Sequence, residues 1–139
     1  MAPLIVHATT VAIDGRGVMI TGPSGCGKSS LALELMALGA RLVADDRTVV
    51  DLRGGMLIAT CPAPLRGMIE ARGLGLLHAP AIENAQLSLC VDLSVMETVR
   101  LPERRSVTYL EHSVDLVHGQ AGRHFPAALL QYVLHGRKD

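Results

Sequence analysis

Gly22-Pro23-Ser24-Gly25-Cys26-Gly27-Lys28-Ser29 satisfies the pattern G-x-x-x-x-G-K-[ST] at every required position. Glycines at its turning points let successive backbone N–H groups converge on one anion. Lys28 has the reach to meet β- and γ-phosphates, and the Ser29 hydroxyl suits Mg²⁺. Pro23, Ser24 and Cys26 fill the free positions of the loop. The flanks agree with the motif. Val18-Met19-Ile20-Thr21 reads as a short buried strand, and Ser29 to Leu38 as a helix closed by Gly39. The helix brings its partial positive end to the same point. Strand, loop and helix together define a nucleotide-phosphate site.

Working outward, Val6 to Ile13 is rich in β-branched residues and meets Asp14-Gly15-Arg16-Gly17, which predicts a hairpin feeding the loop. Beyond the helix, Arg41-Leu42-Val43-Ala44 predicts a strand ending in Asp45-Asp46. Thr48 to Asp51 and Met56 to Thr60 flank Arg53-Gly54-Gly55 as a second hairpin, and Pro62 and Pro64 then break regular structure. Ile69 to Leu77 folds about Gly73-Leu74-Gly75. Gln86 to Leu93 and Ser106 to Leu110 read as strands, Met96 to Arg105 as a surface loop, and Phe125 to Leu134 as a closing helix. The expected fold class is α/β, a mixed sheet carrying a phosphate loop, with residues 1–139 as one domain.

Composition narrows the chemistry. Thirteen basic and thirteen acidic residues cancel, so no basic excess exists to hold a nucleic-acid backbone. Phe125, Tyr109 and Tyr132 are the only aromatics, too few for a base-stacking platform. Cys26, Cys61 and Cys90 are odd in number and scattered, as for reduced thiols in the cytoplasm. No signal peptide, membrane span or membrane partner is expected. His112 and His118 lack a carboxylate partner at ligand spacing, so no zinc site is assigned.

Phosphoryl chemistry needs metal ligands and a group to manage a proton. Asp45-Asp46 falls at the carboxyl end of the strand after the loop helix, where ligands gather in open α/β sheets. One carboxylate there can hold Mg²⁺ while its neighbour faces the incoming nucleophile. Glu70, in Ile69-Glu70-Ala71-Arg72-Gly73-Leu74-Gly75, shares a strand face with Arg72. That spacing suits a metal ligand beside a phosphate-facing cation, and equally a plain surface ion pair.

Taken together, these residues resemble the catalytic domain of HPr kinase/phosphorylase. The resemblance runs from Val6-His7 through the loop, its helix and Leu42-Val43-Ala44-Asp45-Asp46, and continues through Ile69 to Ala79. It weakens from Asn84 to Arg105 and returns in Ala121 to Leu134. The resemblance implies an α/β core related to phosphoenolpyruvate carboxykinase, with ATP and Mg²⁺ used to phosphorylate a serine of the phosphocarrier HPr. It implies Lys28 at the phosphates, Ser29 and Glu70 at Mg²⁺, Asp46 as the base for the serine proton, and Asp45 assisting. His7 matches the family's active-site histidine and Arg100 its catalytic arginine. It also implies a cytoplasmic homo-oligomer, a hexamer by the family's habit.

Some features depart from that pattern. The chain starts close to the catalytic domain, so the N-terminal domain of longer members is expected to be absent, as in short alphaproteobacterial forms. Gln120-Ala121-Gly122-Arg123 keeps one arginine where the family carries two around Pro-Gly. That loop is tied to dephosphorylation, so the reverse reaction stays open while the kinase direction is expected. Two other readings remain: a small-molecule kinase, or a nucleotide-binding signalling module without turnover.

Overall fold

The computed structural model describes residues 1–138. Strand β1 (Leu4–Val6) leads into the hairpin of β2 (Ala8–Ile13) and β3 (Arg16–Thr21), which delivers the chain to the loop at 22–27. Helix α1 (Lys28–Ala37) follows, then β4 (Arg41–Ala44) and the hairpin of β5 (Thr48–Arg53) and β6 (Met56–Thr60). A 3-10 turn at Ala63–Leu65 precedes a small hairpin, β7 (Met68–Ala71) and β8 (Gly75–His78). The long β9 (Asn84–Met96), β10 (Arg105–Tyr109), β11 (His112–Gly119) and α2 (Phe125–His135) complete the chain.

The main sheet runs β1-β5-β6-β9-β3-β2-β4, with β11 also paired to β9 and β10 paired to β11. Strands β3, β9 and β11 are parallel, and the other pairings are antiparallel. β9 is the hub because its length serves several partners: its first residues pair with β6, its later ones with β11.

Alternation along β3 explains how one sheet supports two cores. Val18 and Ile20 point to the helix side and pack with Leu31, Leu35, Leu89 and Leu129. Met19 points the other way, into a cluster with Val43, Val50, Leu57, Ala59 and Cys90. That second cluster is built from strands and their connections, so the sheet curls to cover its own face. All six residues of β2 are buried, as for a strand covered on both sides. Leu35 is fully buried beneath α1. Leu35→Ala is expected to lower stability by about 2–5 kcal/mol, read as a shifted urea midpoint.

Helix α1 stops where the sequence signals a stop. Gly39 takes φ 107, and Gly39 N and Ala40 N donate to the Met36 and Leu35 carbonyls, satisfying the helix end. The predicted elements appear with ends shifted by a few residues. Two strands were not expected: β1, whose three residues are largely exposed, and β11. In β11 His112, Ser113, Asp115 and His118 interrupt the apolar pattern, and the strand exists because β9 and β10 pair with both its edges. No helix among the described residues is long and apolar enough to cross a membrane.

Candidate functional site

Strand directions bring distant parts of the sequence to one end of the sheet. β3 and β4 are parallel, because each runs antiparallel to β2. Their carboxyl ends therefore emerge together, carrying the loop at 22–27 and Asp45-Asp46. The start of β2 lies beside the end of β3, with Ala8 opposite Thr21, which adds His7. Between these segments and the β7–β8 hairpin lies an open cleft of about 530 Å³. Loop residues Ser24, Gly25 and Gly27 line it, together with Lys28, Ser29, Asp45, Asp46, Glu70 and Arg72.

The loop is tightly wound. Gly22 takes φ 143, and a Cβ there would come within 2.6 Å of Cys26 Sγ, so a side chain is excluded at that position. Lys28 is buried and folds back over the loop, donating from Nζ to the Gly22 and Pro23 carbonyls at 2.9 and 3.1 Å.

Asp45 and Asp46 are adjacent in sequence but divided by the backbone. Asp46 adopts φ 67, and this left-handed turn sends the two carboxylates in different directions. The turn is held by Ala8 N donating to Asp46 O, Arg47 N to Asp45 O, and Asp46 N to Thr9 Oγ1. Asp45 is 8% exposed and accepts three hydrogen bonds: from Thr9 Oγ1 at 2.9 Å, Ser29 Oγ at 2.8 Å and Glu70 N at 2.9 Å. Asp46 has a 63% exposed side chain and meets His7 Nε2 at 2.7 Å. One acid thus faces the loop serine from a fixed pocket, and the other faces solvent with a histidine beside it.

Glu70 lies on β7 with its side chain exposed toward the cleft, beyond the amide that anchors Asp45. Arg72 falls just past the end of β7, in the turn, yet lines the same cleft. The oxygen donors of Ser29, Asp45 and Glu70 suit a hard cation such as Mg²⁺, which takes oxygen ligands and keeps several waters. The loop's convergent amides and Lys28 suit phosphate. The donor set therefore fits a magnesium nucleotide.

Arg100 lies outside the cleft lining, exposed in the segment between β9 and β10. Because β9 is parallel to β3, that segment leaves the sheet at the loop end. Its base is tied down by Glu97, which accepts from Thr98 N, Val99 N and the Arg105 guanidinium, with His118 Nδ1 3.7 Å away. Partial burial works against ionisation of Glu97, but the Val99 amide and the Arg105 hydrogen bond and charge outweigh it and hold the carboxyl below its ordinary range. A depressed folded value stabilises above the unfolded value of about 4.5 and is lost as pH falls through the lower folded one. Tm is therefore expected to fall less steeply for Glu97→Gln than for the natural chain as pH drops below about 4.5.

The three thiols differ. Cys61 and Cys90 are buried; burial raises the first and pushes the second up to about 12. Cys26, in the loop, is partly accessible. A soluble maleimide is expected to label Cys26 first in the folded protein, with Cys61 and Cys90 reacting on unfolding, as mapped by peptide mass spectrometry.

Thr9 is the site residue that the sequence reading missed. It is fully buried, yet it both donates to Asp45 and accepts from the Asp46 amide. The available signal was its place two residues after His7, at the start of a strand in which Thr9 and Thr10 are the polar residues.

Fold and cleft define the class: a phosphate-loop α/β domain with acidic residues gathered at the loop. Residues 1–113 match the family model described as HPr Serine kinase C-terminal domain, and the chain belongs to that family. The HPr kinase/phosphorylase of Clostridium tetani is 40% identical over 94 residues, which is 68% of this chain and 30% of that protein. That of Bordetella petrii is 51% identical over 78 residues, 55% of this chain and 25% of that protein. The chain spans about a third or less of the length of these relatives. Its fold superposes on the Hpr(Ser) kinase/phosphatase from Coxiella burnetii with TM-score 0.80 at 26% identity, covering 94% of this chain and 88% of that one.

Proposed function

We propose that this chain is a catalytic domain that transfers the γ-phosphoryl group of ATP to a serine of HPr. The observation that carries the reading is the division of labour between Asp45, bonded to the loop serine, and Asp46, paired with His7. Family membership supplies the acceptor, since the relatives matched over most of this chain's core are HPr kinase/phosphorylases.

In this reading Lys28 leaves the Gly22 and Pro23 carbonyls and turns to the β- and γ-phosphates, while the loop amides hold the phosphate oxygens. Ser29 and Glu70 would hold Mg²⁺, with Asp45 orienting Ser29. The bound cation supplies positive charge that offsets the charge spread over the transferring group. Asp46 accepts the proton as the acceptor serine Oγ bonds to the γ-phosphorus and the bond to the β-phosphate oxygen breaks, leaving ADP. His7 orients the Asp46 carboxylate. Arg100 reaches the transferring group when its segment folds toward the cleft, where a bidentate cation stabilises developing charge. Positioning and electrostatics carry most of the acceleration.

The same reading holds the protein to be cytoplasmic and a homo-oligomer. Exposed Ile5, Val99 and Leu101 offer apolar surface for such an assembly, and light scattering of the purified chain measures its mass directly.

The test is phosphotransfer from γ-labelled MgATP to HPr, with and without its regulatory serine. Label that requires that serine supports the reading. MgATP binding with no label on HPr refutes it, in favour of a small-molecule kinase or a nucleotide sensor without turnover. Added phosphate that releases pyrophosphate from the labelled product would extend the activity to the reverse direction.

A further inference from the structure

The segment between β9 and β10 is fixed at both ends. At its start Glu97 N donates to Gly119 O, and the Glu97 carboxylate accepts from the Thr98 and Val99 amides. At its far end two arginines join it to the residues that follow α2. Arg104 Nη2 donates to Arg137 O at 3.0 Å, and Arg137 Nη2 donates to Pro102 O. Each side chain holds the other's stretch of backbone, a reciprocal clasp between 102–104 and 136–137. Arg100 and Leu101, both exposed, lie between the two anchors. The end of α2 is fixed in its turn, because Arg16 Nη1 donates to the Val133 and Leu134 carbonyls at 3.2 and 3.3 Å. Arg16 is the first residue of β3, whose last residue, Thr21, meets the phosphate loop. Arg105 stands opposite Leu116, which is level with Cys90, well before the end of β9 at Met96. The clasp therefore draws 102–104 away from the cleft, toward the opposite end of the sheet.

Resting on the reading that Arg100 acts in the cleft, we propose that this clasp is autoinhibitory. It holds the segment carrying Arg100 in its outward position, and its release lets Arg100 reach the transferring phosphoryl group. The contact is suited to opening because its net worth is small. Hydrogen bonds of exposed side chains compete with water, and one such bond shifts an equilibrium by about two- to tenfold. Packing adds little, since Val99 and Leu101, the apolar residues on either side of Arg100, are 54% and 68% exposed. Beneath the clasp, Arg104 and Arg137 border a cavity of about 270 Å³ with Ser88, Asp115, Tyr132 and Val133. Such a contact favours one state while leaving the other within thermal reach. Neither arginine lines the cleft, so release changes the access of Arg100 and leaves the nucleotide's own contacts alone.

The experiment uses Arg104→Ala and Arg137→Ala in the whole chain, each of which removes one half of the clasp. Limited trypsin digestion with mass spectrometry reads the segment directly, through the bond after Arg100. Cleavage there should quicken about two- to tenfold in each variant, while cleavage after Arg53, at the β5–β6 turn, keeps its natural rate. The kcat for phosphotransfer from MgATP to HPr should rise by a similar factor, with KM for ATP unchanged. Circular dichroism and Tm near the natural values establish that both variants fold. Cleavage after Arg100 that quickens in neither variant overturns the clasp. Quicker cleavage after Arg53 as well marks a general loosening and overturns it too. Quicker cleavage at Arg100 alone, with unchanged or slower transfer, overturns the inhibitory role; slower transfer would make the clasp a support for Arg100. MgATP binding with no label on HPr, from the natural chain and both variants, removes the kinase reading and the inhibitory role with it. The cleavage rates then report the clasp alone.

Discussion

Asp46→Asn is expected to bind MgATP as the natural chain does and to transfer phosphoryl about two to three orders of magnitude more slowly, the usual loss for one well-placed polar group. Asparagine matches the shape of aspartate and preserves the left-handed turn, for which it is among the better-suited residues. It can still meet His7. What it lacks is the capacity to take a proton. Because Asp46 is exposed and hydrogen-bonds to neither Lys28 nor Ser29, the loss should fall on kcat, with KM for ATP little changed. A near-natural rate would remove Asp46 from the role of base. His7→Ala should reduce kcat less, since it loosens the carboxylate without removing it.

Asp45→Ala is expected to act on the fold and the site at once. Three donors converge on this carboxylate, from Thr9, Ser29 and Glu70, and Thr9 is buried. Removing it leaves Thr9 Oγ1 and the Glu70 amide without their acceptor. Each unsatisfied group costs about 1–3 kcal/mol, so the variant should lose about 2–6 kcal/mol in urea denaturation. The anchor between β7 and the turn after β4 goes with it, releasing Glu70 from its place across the cleft from Ser29. Mg²⁺-dependent nucleotide binding should therefore weaken, unlike in Asp46→Asn. The paired variants separate the two acids: one loses stability and metal dependence, the other loses turnover alone. Asp45→Ala with natural stability would show that its hydrogen bonds are readily replaced by water.

Much of this was legible from local signals. Hairpin turns at Asp14-Gly15 and Gly54-Gly55, the apolar run 41–44 and the stop at Gly39 are encoded by neighbours in sequence, and each appears in the structure. β11 was not legible, because its residues acquire strand geometry from pairing with β9 and β10. Thr9 was hidden for a related reason. A threonine in a β-branched run looks like any strand residue until its acceptor, far along the chain, is brought beside it.

The sequence by itself determined the phosphate loop, the strand–loop–helix around it and the candidacy of Asp45, Asp46 and Glu70, since these depend on residue type and short spacing. Only the tertiary structure decided where each acid faces. The positive φ at Asp46 turns one carboxylate inward to Ser29 and Thr9 and leaves the other outside with His7. It also left Arg100 outside the cleft and set Glu70 within it. Both depend on where the separate β7–β8 hairpin lies and on where β9 leaves the main sheet, which contacts between distant parts of the chain set.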